Sequence, residues 1–157
     1  MPVSSRCTGT PDMPLDRNLV GRRSEPYKVD VEKFQLKFFA KATGETNPVF
    51  FEEEAAQAAG HRALPAPPTF TFSLAFHSPL TFDILGLDMR RVLHGEQRFI
   101  HHHPIYAGDV MTLVTEVTDI YDKKGGALEF LVQKTSATNQ QGTLCAEMVV
   151  TTVVRNG

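Results

Sequence analysis

The chain has 157 residues, 41% hydrophobic and 22% charged, with a formal net charge of -2. A domain of this size buries about two-thirds of its unfolded surface, so disorder and a staple-dependent miniature fold are excluded. No basic field or stripe is present to attract nucleic acid, and no apolar run is long enough to span a bilayer.

From the N-terminus, residues 1–14 are rich in Pro, Ser, Thr and Gly and read as a loose arm. They hold no apolar h-region, so they are not a secretory signal. Residues 15–157 show no second composition break and read as one domain. The two cysteines, Cys7 and Cys145, are too widely spaced for a disulfide framework, and a reducing cytoplasm is the expected compartment.

A helix is predicted after Asp30, a good N-cap residue, with Val31, Phe34, Phe38 and Ala42 as its apolar face and Gly44 as its stop. A second helix is predicted over Glu52 to Ala59, where the acidic start complements the helix dipole and Gly60 closes the element. Between them lies a tight turn, Gly44-Glu45-Thr46-Asn47-Pro48. The segment Thr69 to Phe76 is ambiguous. It alternates polar and apolar like a strand, yet Pro67-Pro68 suits a helix start.

The last third has strand character. A strand is predicted over Val92 to His102. Val110 to Thr118 alternates with many β-branched residues, and strand-like runs continue through Leu128, Phe130 and Val132 and from Leu144 to Val154. Turns are predicted at Lys123 to Gly126 and at Asn139 to Gly142. Helices first and consecutive antiparallel strands later give an α+β domain.

Four segments then resemble the MaoC-like dehydratase family. They are Phe39 to Phe50 (FAKATGETNPVF), Ala66 to Phe70 (APPTF), His94 to Phe99 (HGEQRF) and His103 to Asp109 (HPIYAGD). The likeness covers nearly everything after Leu19 and is nearest the N-terminal MaoC-like subgroup, whose members often form the non-catalytic partner in dehydratase heterodimers. It implies a hot-dog fold, a curved antiparallel sheet around a central helix at Thr69 to His77. It further implies a homodimer, or a heterodimer with a catalytic MaoC-like chain, and a substrate that is an acyl-CoA or acyl-carrier-protein thioester. The family's reaction is addition of water to a trans-2-enoyl thioester, or its reversal.

That chemistry needs a base for water, an acid for the α-carbon and donors for the thioester oxygen. The resemblance places Glu45 where the family has Asp and Phe50 where it has His. Its oxyanion donor, a backbone N–H of an A-H-G run, falls at Ala66-Pro67-Pro68, and Pro68 has no N–H. Asn47 is expected to shape the turn and to lie at the substrate site, and Phe50 and Phe51 to line an acyl pocket or simply to pack. Thr69 and Phe70 are expected at the substrate site. Glu45, as a solvated turn carboxylate or a base, and His94, beside Glu96 and Gln97, are the remaining catalytic candidates. His101 and His103 share one strand face, but zinc needs more ligands, so no metal or cofactor is expected. The expected function is an acyl-thioester-binding subunit of an (R)-specific hydratase/dehydratase, enzymatic only within a complex. An active homodimeric hydratase using Glu45 and a relocated acid, a hot-dog thioesterase and a non-enzymatic acyl-CoA-binding module are the alternatives.

Overall fold

A computed structural model describes residues 15–79, 85 and 87–156. The arm expected over residues 1–14 lies outside the described residues. The elements are β1 (Tyr27–Asp30), α1 (Lys33–Ala42), α2 (Glu53–Ala58), α3 (Thr71–Ala75), β2 (Val92–His101), β3 (Val110–Lys123), β4 (Leu128–Thr138) and β5 (Leu144–Arg155). All five strands form one antiparallel sheet in the order β1-β3-β4-β5-β2. The α+β hot-dog architecture implied by the resemblance is the one observed.

The alternation of β3 becomes burial directly. Met111, Leu113, Thr115 and Val117 are buried, and a bulge between Val117 and Asp119 then shifts the phase so that Ile120 is buried next. The inner face carries two apolar clusters. One gathers Phe70 and Leu74, from α3 and the turn before it, with Val31, Leu36, Met111 and Leu113. The other gathers Leu15, Leu85, Leu87, Val117, Ile120 and Leu131. The hydroxyls of Thr115 and Thr135, 2.9 Å apart and both buried, satisfy each other on the same face.

Both helix stops behave as their glycines require. Gly44 and Gly60 have φ of +76° and +88°. The N–H of Glu45 reaches the Ala40 carbonyl and that of His61 reaches Ala56, so each helix end closes in a Schellman arrangement. Helix α2 begins one residue later than predicted, with Glu52 at its N-cap.

Three expectations change. Asp30 is not an N-cap; it ends β1, an unpredicted strand, and Glu32 caps α1 without a side-chain bond. The apolar face expected for α1 is not the buried one. Phe34 is 77% and Phe38 65% exposed, whereas Leu36 and Ala40 are buried and Phe39 packs edge-on against Phe70. Two stripes of this helix are apolar, and contact with α3 and the sheet selects the one without Phe34 and Phe38. The central helix is also shorter than Thr69 to His77. Its helical residues are Thr71–Ala75, flanked by turns, with Phe70 as N-cap and Phe76 as C-cap.

Strand β2 contains a bulge between His94 and Glu96, at Gly95. A Cβ there would lie 2.8 Å from Val153 Cγ2 and 2.9 Å from the Thr151 carbonyl oxygen. Gly95→Ala is therefore expected to cost about 1–3 kcal/mol, as overpacking does. Urea unfolding checks this, and an unchanged midpoint would show that the strand relaxes at no cost.

Candidate functional site

The site is built from the turn between α1 and α2, the start of α3 and edge strand β2. In the turn, Glu45 Oε1 accepts from the N–H groups of Thr46 and Asn47, at 2.9 and 3.0 Å. Asn47 Oδ1 accepts from Val49 N–H at 3.1 Å and so caps a single 3₁₀ turn, Pro48–Phe50, with Pro48 fixing its first residue. One carboxylate oxygen of Glu45 is thus engaged by its own turn. Phe50 and Phe51 are both half-buried.

Before α3, the Ala66 N–H donates to the Ile105 carbonyl at 2.7 Å, and Pro67 and Pro68 have no N–H. The first N–H after Ala66 therefore belongs to Thr69, whose side chain is exposed. Phe70 is buried and walls a cleft of about 340 Å³ between α1 and α3. Phe34, Phe38, Phe39 and Leu74 line the same cleft, with Ser73 and His77 at hand. Phe50 is not among its walls. Across α3 lies a second cleft of about 240 Å³, between Ala66, Pro67, Pro68 and Thr71 on one side and His101 to Ile105 on the other.

His94 projects from β2. Its Nε2 lies 3.1 Å from Gln97 Oε1, and its ring meets Phe72 of α3 edge-on at 6.1 Å. His94 and Gln97 are three apart, yet they share the inner face because the Gly95 bulge absorbs one residue. Each of the catalytic candidates, Glu45 and His94, is bonded within its own element rather than to the other. His102 lies apart from His94, paired at 3.0 Å with Glu147, which also holds Lys134.

The His103 to Asp109 segment has a structural center that the sequence marks only by resemblance. The Asp109 side chain is fully buried and ion-pairs with half-exposed Arg62. It also accepts from Gln140 Nε2 at 3.0 Å and from the Tyr106 N–H at 2.8 Å. Burial pushes its carboxyl pKa up, but the bonds from Gln140, Arg62 and Tyr106 outweigh that and hold it below the ordinary value. Arg62 stacks over the Tyr106 ring at 4.4 Å, and Tyr106 Oη lies 3.2 Å from His61 Nδ1. Gly108, at φ +87°, makes the turn that brings Asp109 under Tyr106.

A family model described as "FAS1-like, dehydratase domain region" matches residues 18–148. A UPF0336 protein of Saccharopolyspora erythraea is 40% identical over 83% of this chain and 85% of its own length. A solved structure of a C-terminally truncated HadBC (3R-hydroxyacyl-ACP dehydratase) complex from Mycobacterium tuberculosis is 32% identical, with a TM-score of 0.76 over 86% of this chain and 96% of that one. A MaoC-like dehydratase is similar in fold, with a TM-score of 0.80 at 23% identity, over 88% of this chain and 43% of that one.

Proposed function

Since the chain belongs to the FAS1-like dehydratase-region family of MaoC-like hot-dog proteins, we propose that it is the acyl-thioester-binding subunit of an (R)-specific enoyl-thioester hydratase/dehydratase, without a complete acid–base pair of its own. The observation that carries this is the turn at Glu45 to Phe50. By the resemblance, Phe50 stands where the family has its proton-transferring His, and Glu45 is folded back on its own backbone. Pro67 and Pro68 likewise offer no N–H to a thioester oxygen.

What remains suits holding rather than reacting. The cleft between α1 and α3 presents Phe34, Phe38, Phe39, Phe70 and Leu74 to an apolar chain. Each methylene taken from water there contributes about 0.8 kcal/mol. The thioester is that of CoA or acyl carrier protein. The complementary acid and base come from a second hot-dog chain paired with this one, in keeping with the dehydratase complex to which it is similar. Two distant cysteines, with Cys145 a buried free thiol, suit a reducing cytoplasm. Among the described residues no helix is long and apolar enough to cross a membrane.

The test is an assay of crotonyl-CoA by loss of enoyl absorbance, first with this chain alone and then with a MaoC-like chain carrying an intact D-x-N-P-x-H turn. Binding without turnover alone, and turnover with the partner, is the expected result. Ordinary turnover by the isolated chain would overturn the reading. Release of free CoA thiol, in place of hydration, would replace it with thioester hydrolysis.

A further inference from the structure

Two short extended segments run antiparallel beside the start of α3. The Ala66 N–H donates to the Ile105 carbonyl, the Ala107 N–H donates to the Leu64 carbonyl at 2.9 Å, and Pro65 bridges Tyr106. Ala66 and Ile105 are also walls of the 240 Å³ cleft beside Pro67 and Pro68. Arg62 precedes Ala66 by four residues, so its Cα lies within about 14 Å of that wall, at about 3.3–3.6 Å per extended residue. Its guanidinium is held from two directions. Buried Asp109 ion-pairs with Nη2, and the Tyr106 ring lies 4.4 Å away, face to the guanidinium. The side chain is nevertheless 53% exposed. Nη2 is its only nitrogen bonded among the described residues, which leaves Nε and Nη1 as outward donors. His61 stands beside it. With Tyr106 Oη donating to Nδ1, His61 Nε2 carries a hydrogen and is one more donor. A planar fork fixed by a buried carboxylate and a ring is preorganised for phosphate oxygens. The other side of Asp109 does not suit an anion. The cleft of about 400 Å³ there is lined by Asp30, Glu32 and Glu53, and its Lys33 is already paired with Glu53.

We propose, on the strength of the thioester-binding function above, that Arg62 with His61 seats the phosphate at the far end of a pantetheine arm. The cleft between Pro67 and His103 then carries the arm to the thioester. His101 and His103 line that cleft, where an imidazole can donate to or accept from the arm's amide groups. The recognised chemistry, a phosphate on pantetheine, is common to CoA and to acyl carrier protein.

Calorimetric titration of the full chain compares butanoyl-pantetheine, butanoyl-phosphopantetheine and butanoyl-CoA. Wild type is expected to bind the phosphorylated arm roughly tenfold more tightly than the unphosphorylated one, as a charge-assisted pair does, and the ratio is expected to shrink with salt. Arg62→Lys keeps a cation beside Asp109 but loses the fork, and is expected to lower the ratio roughly threefold. Arg62→Gln is expected to bring it close to one. The first two ligands differ only in the phosphate, so a general loss of fold weakens both together and is told apart from loss of the seat. CoA bound as tightly as the phosphopantetheine thioester supports a seat that serves the arm alone. Tighter binding of CoA supports the same seat with the nucleotide held as well. A wild-type ratio near one, with both thioesters bound, overturns this inference and leaves the thioester-binding function standing. Failure to bind any of the three overturns both. A wild-type ratio retained in the two variants, or in Arg62→Lys where only that variant folds, removes Arg62 as the seat.

Discussion

Asp109→Asn is expected to lower stability by about 3 kcal/mol at pH 7, nearly as much as Asp109→Ala, although Asn keeps the shape of the side chain. The three partners of the carboxylate, Arg62, Gln140 Nε2 and the Tyr106 N–H, are all donors. A carboxylate accepts from all of them, whereas an amide must turn an NH₂ group toward at least one. Arg62 is half exposed and regains water, so most of the loss comes from the buried Tyr106 and Gln140 contacts. The effect has a pH signature. Because the folded carboxyl is held below its ordinary value, its contribution is fully present above the unfolded pKa of about 3.9 and is lost as pH falls below that value, toward the folded pKa. Urea unfolding at pH 7 and along an acid series measures both. A variant with wild-type stability at neutral pH would remove Asp109 as the anchor of this turn.

Glu45→Asp with Phe50→His is expected to raise hydration of crotonyl-CoA by the isolated chain less than about tenfold, although a positioned acid–base group ordinarily contributes about 10²–10⁴-fold. The restored pair would act on a thioester whose oxygen still finds no N–H at Pro67 or Pro68, and one such donor is worth about 10²–10³-fold. Groups that act as a unit give little when completed only in part. Adding Pro68→Gly returns the N–H, so the triple variant is the one expected to gain. Stopped enoyl absorbance traces of the double and triple variants decide the matter. Full activity in the double variant would show that the thioester oxygen is held elsewhere, and Thr69 would be the next backbone donor to examine.

The two predictions divide the shared segments by role. The turn at Glu45 to Phe50 is held in shape by Asn47 and Pro48. The Tyr106 to Asp109 segment is a structural anchor. The His94 to Gln97 segment is a bulge with a glycine that close backbone approach demands.

What the sequence determined by itself is what depends on near neighbours. Period-two runs of β-branched residues specify β3, β4 and β5, because alternation is a property of the strand alone. Gly44 and Gly60 specify helix ends, because a left-handed residue is tolerated there whatever packs nearby. The loss of N–H groups at Pro67 and Pro68 is equally local. Tertiary structure decided the rest. Helix α1 offers two apolar stripes, and only the approach of Phe70 and the sheet buries Leu36 and Ala40 while leaving Phe34 and Phe38 open to line a cleft. Strand β1 has four residues and becomes a strand by pairing with β3, eighty or more residues away in the chain. The meeting of Asp109 with Arg62 and Gln140 is likewise long-range. A carboxylate on a loop reads as solvated until the fold surrounds it with donors, because burial and pairing are set by residues that no local pattern brings together.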